Sequence, residues 1–146
     1  MAGEMNAETR YRVRIQAAAL KRLGLGCGDR IALLCPDTAE FPCAHHAVLA
    51  AGAAVVPVSP LLTVGETMRV LVDSRVDLLL CHSDVVTVGA EAARMAGVRM
   101  FTIGPPTRAP GADGRLEDLA EAMMVRRRRA PARQRTKRHR PIGTPW

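Results

Sequence analysis

Four short apolar runs, each separated from the next by a stretch of helical spacing, limit the folds open to this chain more than any other feature. They read RIALLC (30–35), AVVPV (54–58), DLLLC (77–81) and VRMFTI (98–103). Apolar side chains stand at consecutive rather than alternate positions, the pattern of strands buried on both faces. Val13, Ile15, Ala17, Leu20 and Leu23 give a helix over 11–23, and Gly24 ends it by accepting a left-handed backbone. A second helix, capped by Asp37 or Thr38, turns Phe41, Ala44, Val48 and Leu49 inward and stops at Gly52. Thr63 and Glu66 form a capping box ahead of a third, which buries Met68, Leu71 and Val72. Residues 87–96 form a fourth, closed by Gly97. Pro105, Pro106, Pro110 and Gly111 mark a loop before an amphipathic helix over 116–124. Strands alternating with helices predict an α/β fold with a mainly parallel sheet and right-handed crossovers.

Charge divides the chain of 146 residues in two. Residues 1–124 carry 12 Lys+Arg against 14 Asp+Glu, whereas 125–146 carry eight Arg, one Lys and no acid. The length suits one domain, so the reading is a nearly neutral body over 1–124 and an Arg/Pro-rich tail over 125–146. Without periodicity and with its charges repelling, that tail is expected to be disordered. Four readings of it stand side by side. It binds nucleic acid or another polyanion, contacts anionic lipid, is a plain solvated terminus, or is a G+C-rich gene read out of frame. Trp146 is its only aromatic residue, which gives base stacking little support.

The first residues show no basic segment followed by an apolar run, so no export signal is expected and the chain reads as cytoplasmic. Residues 44–62 are apolar but broken by His45, His46, Gly52, Pro57 and Pro60, so they split into a helix and a strand instead of spanning a membrane. Cys27, Cys35, Cys43 and Cys81 lack the paired short spacings of a zinc site and read as small buried hydrophobes. Gly24, Gly26 and Gly28 come after a helix and before a strand, the reverse of a dinucleotide-binding turn. His45 and His46, adjacent on a helix, cannot serve one site together. His82 follows the third strand, where open α/β sheets bind ligands, but no partner for it is evident. No nucleophile elbow or phosphate-cradling glycine loop is present.

Several of these segments together resemble the adenylate-forming acyl-CoA synthetases. LGLGCGDRIALLCP (23–36) is similar to that family's "LGV-x-x-GDRVA-x-x-x-P". Glu40-Phe41 followed by AAGAAVVPVSPLLT (50–63) is similar to its "EF … aGavvvPvnPllt". Glu66, Leu71 and Asp73-Ser74 fit "E-L-x-x-x-L-x-D-S", with Thr67 where leucine is usual. The proline segment departs from the "PlDPxyPxeR" of amino-acid-activating relatives and leans toward the fatty-acid and aryl-acid CoA ligases. The resemblance implies ATP-dependent activation of a carboxylic acid to an acyl-adenylate, followed by transfer to CoA, with Mg²⁺ as a further cofactor.

The family's phosphate loop "TSGTTGxPKG", its "YGxTE" motif and its C-terminal lysine have no counterpart in these residues. No catalytic, cofactor-binding or metal-binding residue is therefore carried over, and this chain by itself is expected to hold no cofactor. Gly28, Asp29, Arg30, Gly52, Pro57 and Pro60 are assigned as the family's turn and strand-end scaffold. The expectation is the N-terminal portion of such an enzyme, inactive alone, with the frame broken or misassigned near Met124. An apolar face left uncovered would favour self-association.

Overall fold

A computed structural model describes residues 5–129. Helix α1 (Ala7–Arg22) starts at Asn6, whose side chain accepts from the Thr9 amide. It ends where the Gly24 and Leu25 amides bond back to the Lys21 and Leu20 carbonyls, a Schellman closure. The chain then alternates as β1 (Arg30–Leu34), α2 (Glu40–Ala50), β2 (Ala54–Val58), α3 (Val64–Asp73) and β3 (Leu78–His82). A 3-10 turn (Ser83–Val85), α4 (Val86–Ala96), β4 (Arg99–Ile103), β5 (Gly114–Arg115) and α5 (Leu116–Arg129) complete it.

The five strands form one parallel sheet in the order β2-β1-β3-β4-β5. One ladder row runs Pro57, Leu33, Leu80, Phe101, Gly114. Pro57, which has no amide hydrogen to donate, sits on the edge strand, where its missing bond is tolerated. Side chains alternate between two cores, as the two-residue strand period requires. Ile31, Leu33, Leu78, Leu80, Phe101 and Ile103 meet α1, α2 and α5. Ala32, Leu34, Leu79, Cys81 and Met100 meet α3 and α4. The capping box is present, with Glu66 N–H donating to Thr63 Oγ1 (3.1 Å) and Thr63 N–H to Glu66 Oε1 (2.9 Å).

Several expected details differ. Helix α2 starts one or two residues later than a cap at Thr38 or Asp37 requires. Ala39 holds the cap position without a side-chain bond, and the Thr38 hydroxyl lies 3.5 Å from Cys35 Sγ. Its buried stripe is Cys43, Ala44, Ala47 and Val48, leaving Leu49 half exposed. On α3 the buried pair is Thr67 and Leu71, four residues apart, so Val72 points outward and Met68 is only half-buried. The two-residue strand β5 has no apolar run to announce it.

The folded body does not stop at Met124, because α5 continues through Arg129. Leu116, Leu119, Ala120 and Met123 dock the first turns on the α1/α2 core. Arginine is a good helix former, and four of them occupy the carbonyl end, where the helix dipole favours cations. The expectation of disorder is therefore corrected for 125–129. For residues 130–146, both that expectation and the nucleic-acid reading lie outside the described residues.

Candidate functional site

A parallel sheet leaves a crevice at its carboxyl edge, where successive crossovers depart to opposite faces. Here that point lies between β1 and β3, since α2 leaves β1 toward one face and α4 leaves β3 toward the other. His82, the last residue of β3, shares the parity of Leu78 and Leu80 and so faces α2. Glu40, the first residue of α2, comes to meet it: His82 Nε2 lies 3.2 Å from Glu40 Oε1. His82 Nδ1 accepts the Asp84 amide at 3.0 Å. An acceptor at Nδ1 fixes the neutral ring as the Nε2–H tautomer, so Nε2 donates to the carboxylate. His82 is 2% exposed, and both ring nitrogens are in use.

The surrounding groups share this arrangement. Burial pushes the Glu40 carboxyl up, but hydrogen bonds from Thr38, its own backbone amide and His82 outweigh it and hold the group below the usual carboxylate range. Asp84 Oδ2 lies 3.7 Å from His82 Nδ1. On the β4 side, Glu117 Oε2 accepts the Gly104 amide (2.7 Å), and Arg115 donates to the Gly104 carbonyl (2.7 Å) and to Asp118 (2.6 Å). Burial raises the Cys35 thiol against a hydrogen bond with Thr38, and nearby Glu40 and Asp84 add to the rise. Burial carries Cys81 to about 12. Neither thiol is a nucleophile at neutral pH.

The scaffold residues fall at the two ends of the sheet. Asp29 Oδ2 accepts the Gly26 amide (2.8 Å), and its carbonyl accepts from Ala54 (2.9 Å), so it joins the turn after α1 to the start of β2. The Arg30 amide donates to Asp77 Oδ2 (2.9 Å), and its guanidinium donates to the Ser74 carbonyl (2.9 Å). Gly28 and Gly52 both turn with positive φ. A Cβ on Gly52 would lie 3.5 Å from the Cys27 amide nitrogen. These four gather at the amino edge, opposite the crevice. Pro57 and Pro60 lie at the carboxyl end of β2 and just beyond it. His45 stacks on Phe41 with ring centroids 6.1 Å apart and meets the exposed His46 edge-on at 5.7 Å.

Sequence reasoning placed His82 at the crevice but missed Glu40 as its partner, together with Gly104, Arg115 and Glu117. Strand parity carries part of that signal; the remainder depends on which helix covers which face. Among the described residues, no group of three His, Cys, Asp or Glu is placed to hold a metal ion. No helix there is long and apolar enough to cross a membrane. The turn between β1 and α2 is Cys35-Pro36-Asp37-Thr38-Ala39, without glycine, and Glu40, Asp84 and Glu117 place carboxylates around the crevice. A triphosphate would meet like charge there, so these residues do not fit the phosphates of ATP.

An α/β sheet of order 2-1-3-4-5 whose first strand is entered through GDR (28–30) and whose second strand is left through PVSP (57–60) defines a class. The chain belongs to the AMP-binding enzyme family, whose model matches residues 7–134. It is 35% identical over 109 residues to the long-chain-fatty-acid–CoA ligase FadD13 of Mycobacterium tuberculosis, covering 73% of this chain and 20% of that protein. It is 35% identical over 101 residues to 4-coumarate–CoA ligase 2 of Oryza sativa, covering 69% of this chain and 18% of the relative. A benzoate CoA ligase from Burkholderia xenovorans superposes with a TM-score of 0.68 at 27% identity, over 79% of this chain and 22% of that one. The chain thus spans about a fifth of the length of the relatives it matches.

Proposed function

We propose that this chain forms the first α/β layer of an acid–CoA ligase. In that reaction a fatty or aryl carboxylic acid attacks the α-phosphorus of ATP, giving acyl-AMP and pyrophosphate. The CoA thiol then displaces AMP. The observation that carries this reading is the 35% identity to both a fatty-acid and an aryl-acid CoA ligase within the family match. Within the layer, Gly28, Asp29, Arg30 and Gly52 fix the amino edge of the sheet, and Pro57 and Pro60 direct the chain out of β2. The donors that clamp phosphate and Mg²⁺ are supplied from outside residues 5–129, because the crevice of this layer is lined with carboxylates. By itself the 146-residue chain is a scaffold without adenylating activity. Leu61 is 92% exposed, and Leu49 and Val72 are half exposed on helices that cover opposite faces of the sheet, so self-association would have to use one of these sites singly and not a continuous apolar face. The cytoplasm is the compartment that suits a reaction drawing on ATP and CoA.

A domain exchange tests this. In FadD13 of M. tuberculosis, the 109 matched residues are replaced by their counterparts here, and ATP–pyrophosphate exchange is followed with a long-chain fatty acid. The chimera is expected to keep exchange within about tenfold of the parent, a loss of about 1.4 kcal/mol in transition-state binding, while the 146-residue chain alone stays at background. A folded chimera without exchange, or exchange by the isolated chain, would overturn the reading.

A further inference from the structure

Helices α1 and α5 bring arginines together from distant parts of the sequence. Arg10, Arg12 and Arg14 lie on the first half of α1, and the block 126–129 ends α5. Arg94 and Arg115 pair with carboxylates, but among the described residues none of these seven forms a salt bridge. Between the helices runs a groove floored by Tyr11, Ile15, Met124 and Val125. Its rim carries Arg12 and Arg128, with Arg14 and Arg127 continuing it. Glu8 and Glu121 also line it, together with the paired Arg115 and Glu117. Arg12, Arg14, Arg127 and Arg128 thus face two uncompensated carboxylates, and the cations are in excess only when the stretch beside Arg14 and Arg127 is included. Tyr11 is 38% and Val125 46% exposed, so the floor is open to water.

Packing two arginine-bearing helices side by side raises the local positive potential, and an acidic partner relieves it. The apolar floor narrows the choice of partner, since a purely ionic ligand would leave Ile15, Met124 and Val125 wet. Methionine adapts its shape to different apolar side chains. A groove with an apolar floor and charged rims is how one amphipathic helix receives another. We propose that the α1/α5 groove docks an amphipathic helix whose flanks carry Asp or Glu, its apolar stripe on the floor and its carboxylates against the arginine rim.

The test uses the full 146-residue chain and fluorescence anisotropy of a labelled synthetic helix of about 18 residues, with leucines at i, i+3, i+4 and i+7 and glutamates on the flanks. This peptide is expected to bind at least about tenfold tighter than a scrambled peptide of the same composition, and to weaken as salt rises from about 50 mM to about 200 mM. Arg12→Ala with Arg14→Ala, and separately Val125→Ser, should each weaken it by about fivefold to tenfold. Val125→Ser, at a half-exposed site, tests the floor without emptying the core. Equal binding of the scrambled peptide, or indifference to Val125→Ser, overturns the proposal. Loss only on deletion of residues 130–146 overturns it as well, by placing the site in the tail. A duplex oligonucleotide that displaces the peptide with the same arginine dependence, or phosphatidylglycerol vesicles that bind when the peptide does not, would replace the acidic helix with a polyanion or a lipid surface.

Discussion

Gly104 turns against the imidazole of His82 so closely that a Cβ there would lie 2.8 Å from Nε2 and 3.0 Å from Cδ2. The φ of Gly104 is +94°, and its amide and carbonyl are held by Glu117 and Arg115. The end of β4 is therefore shaped by the residue that closes β3. Gly104→Ala combines a disfavoured backbone with a clash against a buried ring, and it is expected to destabilise the fold by about 2–4 kcal/mol. Gly111 also has positive φ (+90°), but nothing lies within 4 Å of its missing Cβ, so Gly111→Ala should cost only about 1 kcal/mol. Urea melts of the two variants measure the difference. Equal losses would show that backbone strain, not His82, accounts for the Gly104 effect.

Glu40, held by Thr38, its own backbone amide and His82, sets a pH dependence. Glu40 has a folded pKa below its ordinary value, so its contribution is full above the unfolded glutamate pKa of about 4.3 and is lost as pH falls through the lower folded value. Glu40→Gln should cost about 1 kcal/mol at neutral pH. The gap between the two proteins should close as the medium is taken from about pH 5.5 to about pH 3. Parallel stability curves over that range would rule out a contribution from the charge.

Arg75 ends α3 in the left-handed region at φ +53°, the only non-glycine residue with positive φ among the described residues. Its amide and that of Val76 bond back to Val72 and Leu71, the same closure that glycine makes after α1 and α2. Arg75→Gly relieves about 1–2 kcal/mol of backbone strain and costs about 0.5–1 kcal/mol through the freer unfolded chain. A net gain of about 0.5–1 kcal/mol is expected, read as a higher denaturation midpoint with unchanged slope.

The four cysteines are free, with Cys27 exposed and Cys35, Cys43 and Cys81 buried. Burial raises the thiol pKa of all three buried residues. A thiol reagent at about pH 8 should label one cysteine in the native chain, identified by mass mapping as Cys27, and all four in urea. Rapid native labelling of Cys81 would contradict the packing of β3 against α4.

Much of this architecture was legible because its signals are local. The consecutive apolar residues of β1 and β3, the Thr63–Glu66 box and the stops at Gly24, Gly52 and Gly97 each act within a few residues of themselves. The motif order from GDR (28–30) to PVSP (57–60) likewise sufficed to point to the family. Errors arose where a neighbour decides. Leu49 and Val72 satisfy helical spacing but face water, because α2 and α3 turn other stripes to the sheet. The arginine block has the composition of a tail, and what carries α5 through it is the packing of Leu116, Leu119, Ala120 and Met123 on the α1 core.

The succession of β1 to β4 with their helices, the Thr63–Glu66 box, the glycine stops and the division of charge were thus determined by the sequence alone, since each rests on backbone preference, hydrophobic period or composition. Which residues share a site was decided only by tertiary structure. Glu40 and His82 are 42 residues apart and meet because the crossovers after β1 and β3 diverge at the same edge. Gly89 is another case. In the sequence it is an unfavourable residue inside a helix, but in the fold a Cβ there would strike Cys81 Sγ and lie 3.3 Å from Leu34 Cδ2. The close approach of α4 to the sheet, a long-range packing constraint with no local trace, is what requires it.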